Sequence, residues 1–174
     1  TYDSYPNFAY CLEEDPIHSK GLNDRKWSNH LSRVRSVCPH FGIMEQQSGA
    51  NGWNTRMEAP APKPGQVTLW AMQSIAHGAD FVSFFRWRTC TIGTEIYWHG
   101  ILDYDNRDNR KLREIVGLNQ TVQRMKDLAG AGYLASFGVL EDYDNLWDAD
   151  VDVWHSRLEK ASKKEIFAAS QLNH

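Results

Sequence analysis

The chain has 174 residues, a formal net charge of −3, and 41% hydrophobic and 24% charged residues. That is the composition of a globular protein with enough apolar residues for a core. It lacks the basic excess of a nucleic-acid-binding domain, and no apolar stretch approaches the ~20 residues that span a bilayer. The three cysteines, Cys11, Cys38 and Cys90, are widely spaced without a C-x-x-C pair, which argues against a disulfide framework or a cysteine zinc site within the chain. Free thiols suit a cytoplasmic protein. The chain starts at Thr1, without Met, inside what reads as a structural unit, so it is expected to be a piece of a longer protein.

Tyr2 to Pro6 reads as the end of a strand, followed by a loop to about Gly21. From Asn23 or Asp24 the spacing of Trp27, Leu31, Val34 and Cys38 predicts a helix, which Pro39 stops. Phe41 to Glu45 is the next strand. Residues 46–64 form a long loop with Pro60, Pro62 and Pro64, and loops of that length in compact domains are usually functional. Gly65 opens a helix to about His77 that offers Val67, Trp70, Met72 and Ile75 for burial, with Gly78 placed to terminate it. Asp80 to Phe85 is a strand rich in aromatic residues. A polar loop runs from Arg86 to about Asn109. The apolar positions Leu112, Ile115, Leu118, Val122 and Met125 then predict a helix over Arg110–Leu128. After Gly130 and Gly132 the character changes, with a strand expected over Leu134–Leu140 and helices over Trp147–Leu158 and Ser162–Leu172. The boundary is drawn so that 1–130 is one domain and 131–174 begins a second.

Strands and helices alternate, with long polar strand-to-helix loops and short returns, which is the pattern of βα units whose site lies on one face. Three such units are not the eight of a closed barrel, so the fold class is α/β, the C-terminal portion of a barrel followed by a second α/β domain. The apolar run Phe41-Gly42-Ile43-Met44 ends abruptly in Glu45-Gln46-Gln47-Ser48-Gly49. An acid at the C-terminal end of a barrel strand is a catalytic candidate. The alternative is an acid that caps the next helix or pairs with an arginine. Arg86 and Arg88, at the end of the following strand, are candidates to supply positive charge to it or to serve the barrel rim. Trp53, Trp87 and Trp98 sit in loops beside polar residues, where a flat face could stack on a sugar ring or on another apolar plane. Asp103 to Asn109 is acidic but lacks the glycine and terminal glutamate of a calcium loop, so it reads as a solvated loop with a helix cap.

Six phrases occur in order: Ile43 to Gly49, Trp53, Pro64-Gly65-Gln66, Ala76 to Asp80, Ser83 to Arg88, and Glu95 to Gly100. Together they resemble glycoside hydrolase family 42, the β-galactosidases. The resemblance implies a (β/α)8 TIM barrel, a retaining mechanism, and a following flavodoxin-like domain through which subunits associate as trimers. It places the nucleophile at Glu45 and galactose contacts at Trp53, Glu95 and His99, with Tyr5 facing the sugar from the preceding strand. It implies no cofactor, and places both the acid/base glutamate and the cysteines that hold structural zinc in some relatives upstream of Thr1. The isolated chain is accordingly expected to be inactive on β-galactosides. Two other readings stay open: a non-catalytic carbohydrate-binding or oligomerisation fragment, and a related retaining glycosidase for α-L-arabinosides or β-D-fucosides.

Overall fold

The computed structural model describes residues 2–6, 25–53 and 56–144. The strands are β1 (Tyr2–Ser4), β2 (Phe41–Gln47), β3 (Asn51–Trp53), β4 (Arg56–Ala59) and β5 (Ala79–Phe85), and the helices are α1 (Arg25–Val37), α2 (Gln66–Ala76) and α3 (Arg110–Arg124). A single 3-10 turn, Lys126–Leu128, follows α3. β1, β2 and β5 form a parallel sheet in that order. Parallel neighbours need crossover connections, and α1 and α2 supply them. β3 and β4 pair as an antiparallel hairpin inside the loop after β2.

The sheet buries one face against the helices. Trp27 and Leu31 of α1, Phe41 and Ile43 of β2 and Trp70 of α2 form one apolar cluster, with Val34, Cys38, Ala79 and Val82 packed around it. Val67 and Ala71 of α2 meet Ile115 and Leu118 of α3 and Ile101 in a second, which Val82 and Phe84 border. The helical spacings read from the sequence are therefore the buried stripes of α1 and α3. The helix ends follow local chemistry. The Asn109 side chain accepts the Leu112 backbone N–H at 3.0 Å and caps α3. Gly78, one residue past the α2 C-cap, takes φ 92, a conformation that favours glycine.

The other sheet face is open among the described residues. Phe81 lies over Gly42, where a Cβ would come within 2.2 Å of the ring, so only glycine fits beneath it. Phe81 and Met44 are about half exposed there. This is the face a closed barrel turns inward.

Three expectations change. Strand β2 continues two residues past Glu45, and the 46–64 loop contains the β3–β4 hairpin, whose three- and four-residue strands are too short to show alternation. No strand forms at Leu134–Leu140, where Leu134, Phe137, Val139 and Leu140 are all exposed. A strand needs a neighbour to satisfy its backbone, and none lies alongside among the described residues. The helices expected at 147–158 and 162–172, like the start of the first helix, fall outside the described residues. Thr1–Tyr133 forms one compact unit and Leu134–His174 another. Among the described residues no helix is long and apolar enough to cross a membrane.

Candidate active site

The direction of Glu45 is set by a fault in the sheet. Tyr2 pairs with Ile43 and Asp3 with Glu45, so one step along β1 matches two along β2. On the other edge Ile43 pairs with Val82 and Gln46 with Phe84, so two steps along β5 match three along β2. Both neighbours thus find one extra residue in β2 just after Ile43, which is a β-bulge. Ile43 points into the helix-side core with no exposed surface. Strict alternation would send Glu45 the same way. The extra residue resets the alternation, so Glu45 shares the open face with Tyr5, while Gln46 is fully buried behind it.

The Tyr5 hydroxyl donates to Glu45 Oε2 at 2.6 Å, a charge-assisted contact of the short, strong kind. Burial, and next this bond to Glu45, push the Tyr5 phenol far above its ordinary value, so it remains a donor throughout the neutral range. Burial and the Glu45 charge also raise the carboxyl of Asp3, its partner across the ladder. Among the described residues no guanidinium reaches Glu45. Arg86 donates instead to Glu95 Oε2 and to Cys90 Sγ, each at 2.8 Å, and lies over the Phe85 ring. Arg88 takes part in an isolated parallel bridge with Leu102.

Trp98 organises the aromatic wall. Its ring meets Trp53 at 4.8 Å, Tyr5 at 5.5 Å and Phe85 at 6.0 Å, all edge-on. The Asn51 amide, turned to satisfy its neighbours, accepts the Trp98 indole N–H at 2.8 Å. Trp98 is buried, so it is a packing hub and not the free stacking surface its loop position predicts. Trp53 is half-buried, and Trp87 is exposed.

Hydrogen bonds to backbone carbonyls lock the loop after β2 to the end of β5 and the loop that follows it. Ser48 Oγ donates to the Phe85 carbonyl at 2.8 Å, and the His99 N–H donates to the Ala50 carbonyl at 2.8 Å. A Cβ on Gly49 would stand 2.6 Å from His99 Cβ, so the two chains touch where glycine permits it. Thr89 Oγ1 accepts the Gly100 N–H at 3.0 Å and closes the far loop on itself. His99 Nδ1 faces Asp103 Oδ1 at 3.6 Å, an ion-pair distance longer than a hydrogen bond. Lys111 Nζ donates to the same Asp103 oxygen and to the Gly100 carbonyl, each at 2.7 Å. Burial alone would raise the Asp103 carboxyl, but the Lys111 ammonium and then His99 outweigh it and hold it below the ordinary value of 3.8.

Of the residues singled out in the sequence, Tyr5 and Glu45 are joined directly, and Trp53 is joined to Tyr5 through Trp98. Glu95 and His99 stand on the neighbouring loop, the first ion-paired with Arg86 and the second facing Asp103. Trp98 as hub and the Asp103–Lys111 pair were not legible as site elements. For the Asp103–Lys111 pair the Asp103-to-Asn109 stretch carried the only signal, and its acidity pointed to solvent.

A family model described as Beta-galactosidase, of glycoside hydrolase family 42, matches residues 1–125. Beta-galactosidase BgaA of Clostridium cellulovorans is 35% identical over 128 residues, which are 73% of this chain and 18% of that protein. Beta-galactosidase Bga of Halorubrum lacusprofundi is 38% identical over 152 residues, covering 84% of this chain and 21% of its own length. Among solved structures, a catalytic mutant of Gan42B, a GH42 beta-galactosidase from G. stearothermophilus, has a TM-score of 0.67 at 26% identity over 79% of this chain and 20% of that one. The beta-galactosidase of the psychrophilic Marinomonas ef1 has a TM-score of 0.58 at 28% identity, over 75% of this chain and 21% of that one. The chain spans about a fifth of the length of these relatives.

Proposed function

The chain belongs to glycoside hydrolase family 42, and on that premise we propose that its residues form the last part of the catalytic barrel of a longer retaining β-galactosidase. The observation that carries the reading is Glu45, turned by the bulge onto the open sheet face and held by the Tyr5 hydroxyl at 2.6 Å. A retaining glycosidase needs a carboxylate nucleophile with a second carboxyl group about 5–5.5 Å away. Glu45 attacks the anomeric carbon of a terminal β-D-galactoside. The carbon–oxygen bond to the leaving group breaks, and a glycosyl ester on Glu45 results. The second carboxyl group first protonates the departing oxygen and then takes a proton from the water that cleaves the ester. That acid/base glutamate belongs to the longer protein, upstream of Thr1.

Tyr5 restrains one carboxylate oxygen and leaves the other to attack. Trp53 offers its face to the galactose ring, and Glu95 and His99 bind its hydroxyls, for which a carboxylate and an imidazole provide acceptors and a donor. Residues from 131 onward begin a flavodoxin-like domain through which subunits associate as trimers. The enzyme works in the cytoplasm without a catalytic cofactor, and any structural zinc is held by upstream cysteines.

The test is Glu45→Gln in the longer enzyme. Shape is kept while the nucleophilic charge is lost, and turnover should fall at least ~10³-fold. A 2-deoxy-2-fluoro-galactoside should label Glu45 in the unmodified enzyme, located by peptide mass spectrometry. A label on another carboxylate would remove the assignment.

A further inference from the structure

His99 is held on every side but one. Its backbone N–H is bound to the Ala50 carbonyl at 2.8 Å, and its own carbonyl lies 3.3 Å from Ser48 Oγ. The carbonyl of the next residue, Gly100, is tied by Lys111. The Tyr104 ring stands edge-on to the imidazole, with centroids 5.3 Å apart. What backbone ties cannot fix is the ring's flip about the Cβ–Cγ bond, which trades the place of Nδ1 for Cδ2 and that of Nε2 for Cε1. There is room for that, because a cavity of about 300 Å³, walled in part by Ala50, Ala61, His99 and Asp103, opens beside it. The only carboxylate facing the ring among the described residues is Asp103, 3.6 Å from Nδ1. Nε2 has no partner among them.

Asp103 is itself restrained. Its Oδ1 receives Lys111 Nζ at 2.7 Å, and its Oδ2 receives the Asn109 amide at 3.3 Å. The Lys111 side chain is only 12% exposed, against 42% for Asp103, so the ammonium end of this pair is the one shielded from solvent. A carboxylate facing one ring nitrogen of a histidine selects the tautomer with its proton on that nitrogen and leaves the other as an acceptor.

We propose that Asp103, clamped by Lys111, is a positioning residue for His99. It holds the imidazole with Nδ1–H toward the carboxylate and presents Nε2 as the acceptor for one sugar hydroxyl. The inference rests on the reading of His99 as a galactose contact. It assigns His99 the acceptor half of the hydroxyl recognition, so the galactose group it reads must donate.

The test is a double-mutant cycle in the longer enzyme, read as the competitive inhibition constant of galactose together with kcat and KM. Asp103→Asn keeps the size but removes the charge that selects the tautomer. It should weaken galactose ~10-fold, the effect of one misoriented hydrogen bond, with KM rising by more than kcat falls. In the His99→Gln background the same substitution should change galactose affinity less than ~2-fold, because the group it acts through is gone. Equal losses in both backgrounds would make Asp103 an anchor of the first turn of α3 and nothing more, and would overturn the proposal. No loss from Asp103→Asn alone would overturn it too. If His99→Gln leaves galactose affinity unchanged, the sugar contact at His99 fails, and that outcome is separate from an additive cycle.

Discussion

One methyl group placed away from the chemistry tests whether the loop contact at Gly49 holds the site. In Gly49→Ala the new Cβ would stand 2.6 Å from His99 Cβ and 2.7 Å from the His99 carbonyl oxygen. Non-bonded carbon atoms sit at about 3.5–4.0 Å, so the pair must separate by about 1 Å. The His99 backbone cannot swing away freely, because its N–H is bound to Ala50 and its carbonyl lies beside Ser48 Oγ. The strain therefore passes to the loops that carry Trp53, Trp98 and His99. Overpacking of this kind costs about 1–3 kcal/mol of stability, and a misplacement of about 1 Å in a positioned site lowers turnover ~10²-fold. The expected result in the longer enzyme is a fall in kcat/KM of that order on a nitrophenyl β-galactoside, with a melting temperature only a few degrees lower. Gly117→Ala is the control, since a Cβ there meets nothing within 4 Å on an exposed stretch of α3. It should keep full activity and gain up to about 1 kcal/mol from helix propensity. A Gly49→Ala enzyme with kcat/KM within twofold of the original would show that the two loops are not the frame of the site.

Two further outcomes follow from the polar network. Tyr5→Phe removes the hydroxyl 2.6 Å from Glu45; a hydrogen bond to a charged group contributes about 1.5–3 kcal/mol, so kcat/KM should drop ~10- to 150-fold in steady-state assays, and an unchanged value would detach Tyr5 from the reacting carboxylate. Asp103 is held below 3.8 in the fold by Lys111 and His99 against the opposing effect of burial. Its ionised form is the favoured one, so its stabilisation is complete above that value and is lost as pH falls below it. Melting curves of the original and of Asp103→Asn should therefore converge in that acid range and stay parallel at higher pH, while a gap that persists at the lowest pH would contradict the ion pair.

The helices were legible because burial follows the 3.6-residue period. Trp27, Leu31 and Val34 on α1, and Ile115 and Leu118 on α3, are core positions in both sequence and structure. The parallel order β1–β2–β5 follows from crossovers that the alternation of elements already implied. Other features depend on partners distant in sequence. The apolar residues between Leu134 and Leu140 have strand character, but that character needs a neighbour to become a strand. Trp98 sits in a polar loop, and only the arrival of Tyr5, Trp53 and Phe85 from three other segments makes it a buried hub. Arg86 and Glu95 were read as separate contributors, and their 2.8 Å ion pair depends on how the loop folds back.

The bulge in β2 shows why an acid can be recognised in a sequence while its direction cannot. Alternation from Ile43 assigns Glu45 to the helix side, where a carboxylate would be buried without a partner at a cost of several kcal/mol. The sheet avoids this by one extra residue that both neighbouring strands register. The reversal carries through to the end of the strand. Gln46 turns into the buried layer and sends its amide to the Ser4 carbonyl at 3.4 Å, and the Gln47 amide reaches the Gly49 carbonyl at 3.0 Å. Ser48 then comes round to the Phe85 carbonyl at 2.8 Å at the end of β5. The polar run after Met44 is thus a set of ties from side chains to backbone that hold the strand end in its bulged form. Apart from the local Gln47–Gly49 bond, these ties reach carbonyls of other segments, so the residue types signalled a site, and the aim of the acid followed from the pairing of three strands.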